Sequence, residues 1–143
     1  MTIHGLELPP LLIALESAGR WVHPGDDALA AAFPELRGDP VDFLSFEDMG
    51  RESRPRDAIE ILRLCRGSND GRRDLPWLDT EQSLFLAVNR HPGDDVAIAL
   101  DYRTSPSDPR VVVSGWPPSD QDGTCAWTEK FVSFAAFAAA LDL

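Results

Sequence analysis

The chain has 143 residues, 43% of them hydrophobic, and a formal net charge of −11 at pH 7. That length suits one domain, residues 1–143, with a core large enough to fold without metal or cross-links. The acidity speaks strongly against direct binding of nucleic acid, whose phosphates repel such a surface; it would attract a basic protein partner, or serve only to keep the protein in solution.

Residues 6–18 place leucines at positions 8, 11, 12 and 15, the stripe of an amphipathic helix, with Pro9 and Pro10 tolerable in the first turn and Gly19 as the stop. The first ten residues, MTIHGLELPP, lack the basic-then-apolar layout of a signal peptide. No stretch reaches the about 18 consecutive apolar residues of a membrane span. The expected location is therefore the cytoplasm, with no membrane contact. Asp26 or Asp27 is positioned to N-cap a second helix over residues 28–33, in which Leu29 and Phe33 share a face before Pro34 ends it. VDFLSF (41–46) is too short to tell a strand from a buried turn of helix, and the polar MGRESRPR (49–56) is expected to be a loop. DAIEILRLCR (57–66) reads as a helix that groups Ile61, Leu62 and Cys65, or as a strand alternating through Ile59, Ile61 and Arg63; helix is the expectation adopted. GSNDGRRD (67–74) is a loop, and LPWLD (75–79) leads into a sheet.

From residue 83 the pattern sharpens. SLFLAVN (83–89) and VAIALDY (96–102) flank the polar turn RHPGDD (90–95), which predicts an antiparallel hairpin, and RVVVSGW (110–116) supplies a third strand. The chain ends in a helix with Ser133 as N-cap and Phe134, Phe137, Ala138 and Leu141 on the face that lies on the sheet.

This order of elements resembles the SUKH superfamily, which contains yeast cell-wall-synthesis regulators and many bacterial immunity proteins. The resemblance is carried by Gly93-Asp94 in the turn, Asp101 closing a strand, Pro109-Arg110-Val111-Val112, Trp127, and Ser133-Phe134 with Phe137 and Leu141. LPPLLIALESAGRW (8–21) is similar to the opening of one bacterial subgroup, whereas residues 33–74 show none of its features. The first half lacks the family's usual Leu-Pro followed by an aromatic-rich helix and an Asn-Gly ending. The resemblance implies a single α+β domain with a mainly antiparallel, curved sheet, N-terminal helices beside it and the C-terminal helix docked on it. It implies binding in place of catalysis, with no cofactor. Bacterial members neutralise toxins, often nucleases or deaminases, in the cytoplasm of the producing cell.

The side-chain chemistry leads the same way. HPGDD occurs twice, at 23–27 and 91–95, and its histidines and carboxylates suit a divalent metal if the loops meet; Pro-Gly-Asp is also ordinary turn chemistry, which is the reading adopted. Cys65 and Cys125 have no CxxC spacing and no adjacent histidine, so they are expected to be reduced thiols in a cytoplasmic protein. There is no GxSxG elbow, P-loop or GxGxxG. Tryptophan is common both in cores and at binding hot spots. Trp127, just before the last helix, is expected in the core, while Trp77 and Trp116 sit where strands meet loops. The expected partner contacts are the acidic turn residues Asp94, Asp95, Asp120 and Asp122, with Trp116 as an anchor. Two rival readings are a regulatory module with a cellular protein partner and a small metal-dependent enzyme built on the HPGDD loops.

Overall fold

The computed structural model describes residues 1–53, 65–93, 95–116 and 125–143. Its opening departs from the expected helix over residues 6–18. His4 and Gly5, both at positive φ (52° and 79°), fold the chain back so that β1 (Thr2–Ile3) pairs antiparallel with β2 (Leu6–Glu7). Helix α1 (Pro10–Ser17) starts only at Pro10, where the missing N–H would have had no partner anyway. Leu8, Leu12 and Leu15 are buried, Leu11 is turned outward, and Gly19 at φ 68° ends the helix.

Helix α2 (Asp26–Ala32) buries Leu29, with Phe33 buried just after it, as the sequence implied. Neither aspartate caps it, because Gly25 occupies the cap position and the Asp26 carboxylate reaches across to Arg90. A single 3-10 turn, Pro34–Leu36, then leads to β3 (Val41–Phe43). The residues after β3 correct the loop expectation, since residues 49–52 belong to helix α3 (Phe46–Glu52). Its cap is Ser45, whose Oγ accepts from the Asp48 N–H at 3.1 Å, and its buried side chain is Met49. Residues 57–64 of the helix expected over 57–66 lie outside the described residues. Cys65 and Arg66 form a turn, and β4 (Gly67–Ser68) pairs in parallel with β5 (Leu78–Asp79). LPWLD therefore contributes to a separate two-stranded sheet.

The main sheet has five antiparallel strands in the order β3, β6 (Ser83–Asn89), β7 (Ala97–Asp101), β8 (Arg110–Gly115), β9 (Ala126–Phe131). The predicted hairpin is present, with pairs running from Ser83–Asp101 to Val88–Ala97 and a bulge between Phe85 and Ala87. Strand β9 was not anticipated: Thr128 and Glu129 are exposed, which masks the alternation expected of a strand. Strand β7 is buried along its whole length and β6 and β8 along most of theirs, so both faces of the sheet are covered.

Helix α4 (Phe134–Ala140) is capped by Ser133, whose Oγ accepts from the Ala136 N–H at 3.1 Å, and packs on β8, β9 and α1. Phe137, with no exposure, meets the rings of Trp21, Phe33, Phe43, Phe131 and Phe134. A separate ring contact stacks Phe85 on Trp127, which is buried as expected. At one sheet edge the Trp127 N–H donates to the Pro76 carbonyl; at the other, the Trp21 Nε1–H donates to the Leu44 carbonyl just after β3.

The two cysteines are joined, contrary to the expectation of free thiols. Cys65 and Cys125 form a disulfide with Cα atoms 4.4 Å apart and no solvent exposure on either residue. Motif spacing carried no sign of this, because the partners lie 60 residues apart and meet only through the tertiary fold.

Candidate functional site

One end of the sheet carries Asp95 and Trp116, two of the residues expected to meet a partner. The β7–β8 and β8–β9 registers run to the Ile98–Val113 and Gly115–Ala126 pairs, so Asp95 before β7, Trp116 after β8 and Cys125 before β9 all lie at this end. Asp95 adopts φ 52°, a left-handed conformation that aspartate tolerates better than bulkier residues, and Gly93 lies at φ 92°. Trp116 is 52% exposed at the end of β8, whereas Trp127 is buried and Trp21 and Trp77 are partly covered. Arg73 lies over the Trp77 ring, 4.3 Å from its centroid. Asp94, Asp120 and Asp122 lie outside the described residues.

The two HPGDD segments do converge. The Arg90 guanidinium, just before the second copy, grips Asp26 of the first with two bonds of 2.9 and 3.0 Å, and its Nε donates to Asp42 at 2.7 Å. Hydrogen bonding from Arg90 holds the Asp26 carboxyl below the usual carboxylate range, and the two carboxylates raise Arg90 in return. His23 Nδ1 accepts from the Gly25 N–H at 3.0 Å, which leaves its Nε2 facing Asp26 at 3.6 Å. Its ring tilts against Phe43, while His91 stays exposed. Among the described residues no three His, Cys, Asp or Glu side chains gather as a metal site. The paired loops thus form an ion-pair lock that ties α2 to the β6–β7 turn.

The short turn after α2 extends the same end of the molecule. Glu35 lies against Gly115, where an added Cβ would stand 3.4 Å from the Glu35 Cβ, so the absence of a side chain lets the turn approach the strand. Glu35 also accepts from Lys130 at 2.8 Å. The turn thus packs on β8 at Gly115 while α2 is tied to Arg90 beyond β6.

The opposite end of the sheet is built differently. Asp101, with no exposure, accepts from Arg103 at 2.9 Å through both oxygens and from Arg110 at 2.8 and 2.9 Å. Burial alone would raise the Asp101 carboxyl; the bonds from Arg103 and Arg110 outweigh it and hold the group below its ordinary value. Arg103 also donates to the Arg73 and Trp77 carbonyls, and Arg110 reaches Asp74 and Glu129. These guanidiniums are occupied by the protein itself, which makes the cluster a buried tie between the sheet and residues 73–77. Sequence reading used Asp101 only as a family feature. The signal for more was an acid closing an otherwise apolar strand, with Arg103 two residues on and Arg110 opening the next strand.

No family model, curated protein or solved structure matches this chain. No helix among the described residues is long and apolar enough to cross a membrane.

Proposed function

We propose that this chain is an interaction protein of the SUKH immunity type, which binds a basic bacterial toxin, a nuclease or deaminase, and blocks it by covering its surface without chemistry of its own. The observation that carries the reading is the exposed indole of Trp116 at the end of β8, on a chain of net charge −11. A large exposed aromatic on an acidic chain fits a hot spot that a cationic partner would be steered to. The antiparallel sheet with α4 docked on it agrees with the architecture that the resemblance implies.

The test is co-expression with the product of the adjacent gene. Wild-type chain should co-purify with it in fixed stoichiometry, and Trp116→Ala should weaken binding by about 2 kcal/mol or more. Because the side chain is exposed, folding stability should change by less than about 0.5 kcal/mol. Capture that is indifferent to Trp116 rejects this surface as the binding site, and no capture at all rejects the immunity reading.

The resemblance places the protein in the cytoplasm, but the Cys65–Cys125 bond argues for an oxidising compartment, where disulfides persist. Counting free thiols in protein trapped with an alkylating agent at lysis decides between them.

A further inference from the structure

A cleft of about 210 Å³ opens between α2 and the turn at Pro34–Leu36, next to the Arg90–Asp26 ion pair. Leu29, Ala30, Leu36 and Pro40 line its apolar part, and Asp26 and Asp27 line its polar part. The volume falls below the roughly 300–1,000 Å³ of pockets that enclose small-molecule ligands, and suits one side chain. Asp26 is engaged by Arg90, whereas Asp27 is exposed and has no hydrogen bond or ion pair among the described residues. Arg37 also lines the cleft, but Asp26, Asp27, Asp39 and Asp42 are four carboxylates around two guanidiniums, Arg37 and Arg90, so the local field stays negative. Apolar walls below a free carboxylate match a side chain with an aliphatic stem and a cationic head.

We infer that this cleft receives an arginine or lysine side chain of the basic partner, with the stem against Leu29, Ala30 and Leu36 and the head at Asp27. The inference rests on the partner reading above and adds the contact that would fix the partner's register on the acidic surface. The cleft is held to the sheet through the turn residue Glu35, which packs on Gly115, and through Pro40, whose carbonyl accepts from the Arg90 N–H at 2.9 Å.

The experiment is a nuclear magnetic resonance titration of the full chain, labelled with nitrogen-15, using N-acetyl-arginine methylamide at low salt as the probe. Saturable shifts should centre on the amides of Asp27, Ala30, Leu36 and Gly38. Asp27→Asn should weaken binding about fivefold, the attraction of one contacting charge pair in water. Ala30→Leu, which fills the cleft, should abolish the shifts, and the uncharged citrulline analogue should produce none. Shifts spread evenly over the acidic surface, or equal binding of the citrulline analogue, would overturn the inference. Asp27→Asn touches no internal bond, so the test survives if Ala30→Leu fails to fold. Trp116→Ala should leave this titration unchanged. A failed titration beside Trp116-dependent capture therefore rejects the cleft alone, and failed capture beside a successful titration rejects the toxin reading alone.

Discussion

Phe137→Ala should be among the most damaging single substitutions in this protein. The side chain has no exposure and its ring centroid lies 5.5 Å from that of Phe134, 6.0 Å from those of Phe33 and Phe131, and 6.4 Å from those of Trp21 and Phe43. Removing a buried phenylalanine ring costs about 3–5 kcal/mol through lost transfer energy and the cavity left behind. Aromatic pairs add roughly 0.5–1.5 kcal/mol each beyond burial, which places this site near the upper end, about 5 kcal/mol. Phe134 is equally buried but meets only Trp21 and Phe137, so Phe134→Ala should cost less. Urea unfolding followed by far-ultraviolet circular dichroism measures both. At a slope of about 2 kcal/mol per molar urea, the Phe137→Ala midpoint should fall by about 2.5 M. Phe137→Leu should recover part of the loss by restoring volume without the ring contacts. A Phe137→Ala midpoint no lower than that of Phe134→Ala would refute the claim that the ring network centres on this residue.

Asp101→Asn should destabilise the fold by about 3–5 kcal/mol at pH 7, as breaking a buried ion pair does. Because the folded-state carboxyl is held below its unfolded value of about 3.9, its contribution is present above that pH and is lost as pH falls through the lower folded value. The gap between wild type and Asp101→Asn in pH-dependent unfolding should therefore close on acidification. Cys65→Ala/Cys125→Ala should lower stability by about 4 kcal/mol, the loop-closure entropy for a 60-residue separation. Equal urea midpoints for the variant and the untreated wild type would show that the bond contributes nothing. Asp95→Asn should slow association with the basic partner more than it speeds dissociation. Raising ionic strength from about 0.01 M to 0.15 M cuts the Debye length from roughly 30 Å to 8 Å, so stopped-flow association of wild type should fall more steeply than that of the variant.

The parts of the fold that were legible in sequence are those whose signals are local. The hairpin of β6 and β7 announced itself by apolar runs around a Gly-Asp turn, and α4 by Ser133 and the spacing of Phe134, Phe137 and Leu141. Strand β9 hid because an edge strand exposes residues such as Thr128 and Glu129, and α3 hid because its charged residues outweigh its one buried side chain, Met49. Ser45, Glu47 and Asp48 nonetheless form a helix start that a search for caps would have found. Of the site, the turn position of Asp95 followed from the polar break between two apolar runs, whereas the exposure of Trp116 did not follow from its place where a strand meets a loop, since Trp77 in a like place is partly covered. The lock between Arg90 and Asp26, the Asp101 cluster and the disulfide did not, because each joins residues that only the folded chain brings together.

The sheet's edges limit how any partner can approach. Pro76 stands against β9 and occupies the outward N–H of Trp127, while β3 spans only three residues and the carbonyl that follows it is taken by Trp21. An incoming peptide would meet Pro76 at the start of β9 and a strand of only three residues at β3, which disfavours strand addition at those places. The same arrangement discourages copies of the chain from joining edge to edge into fibrils. Molecular recognition is thereby channelled to the ends of the strands, where turns and side chains, in place of backbone groups, decide which surface fits.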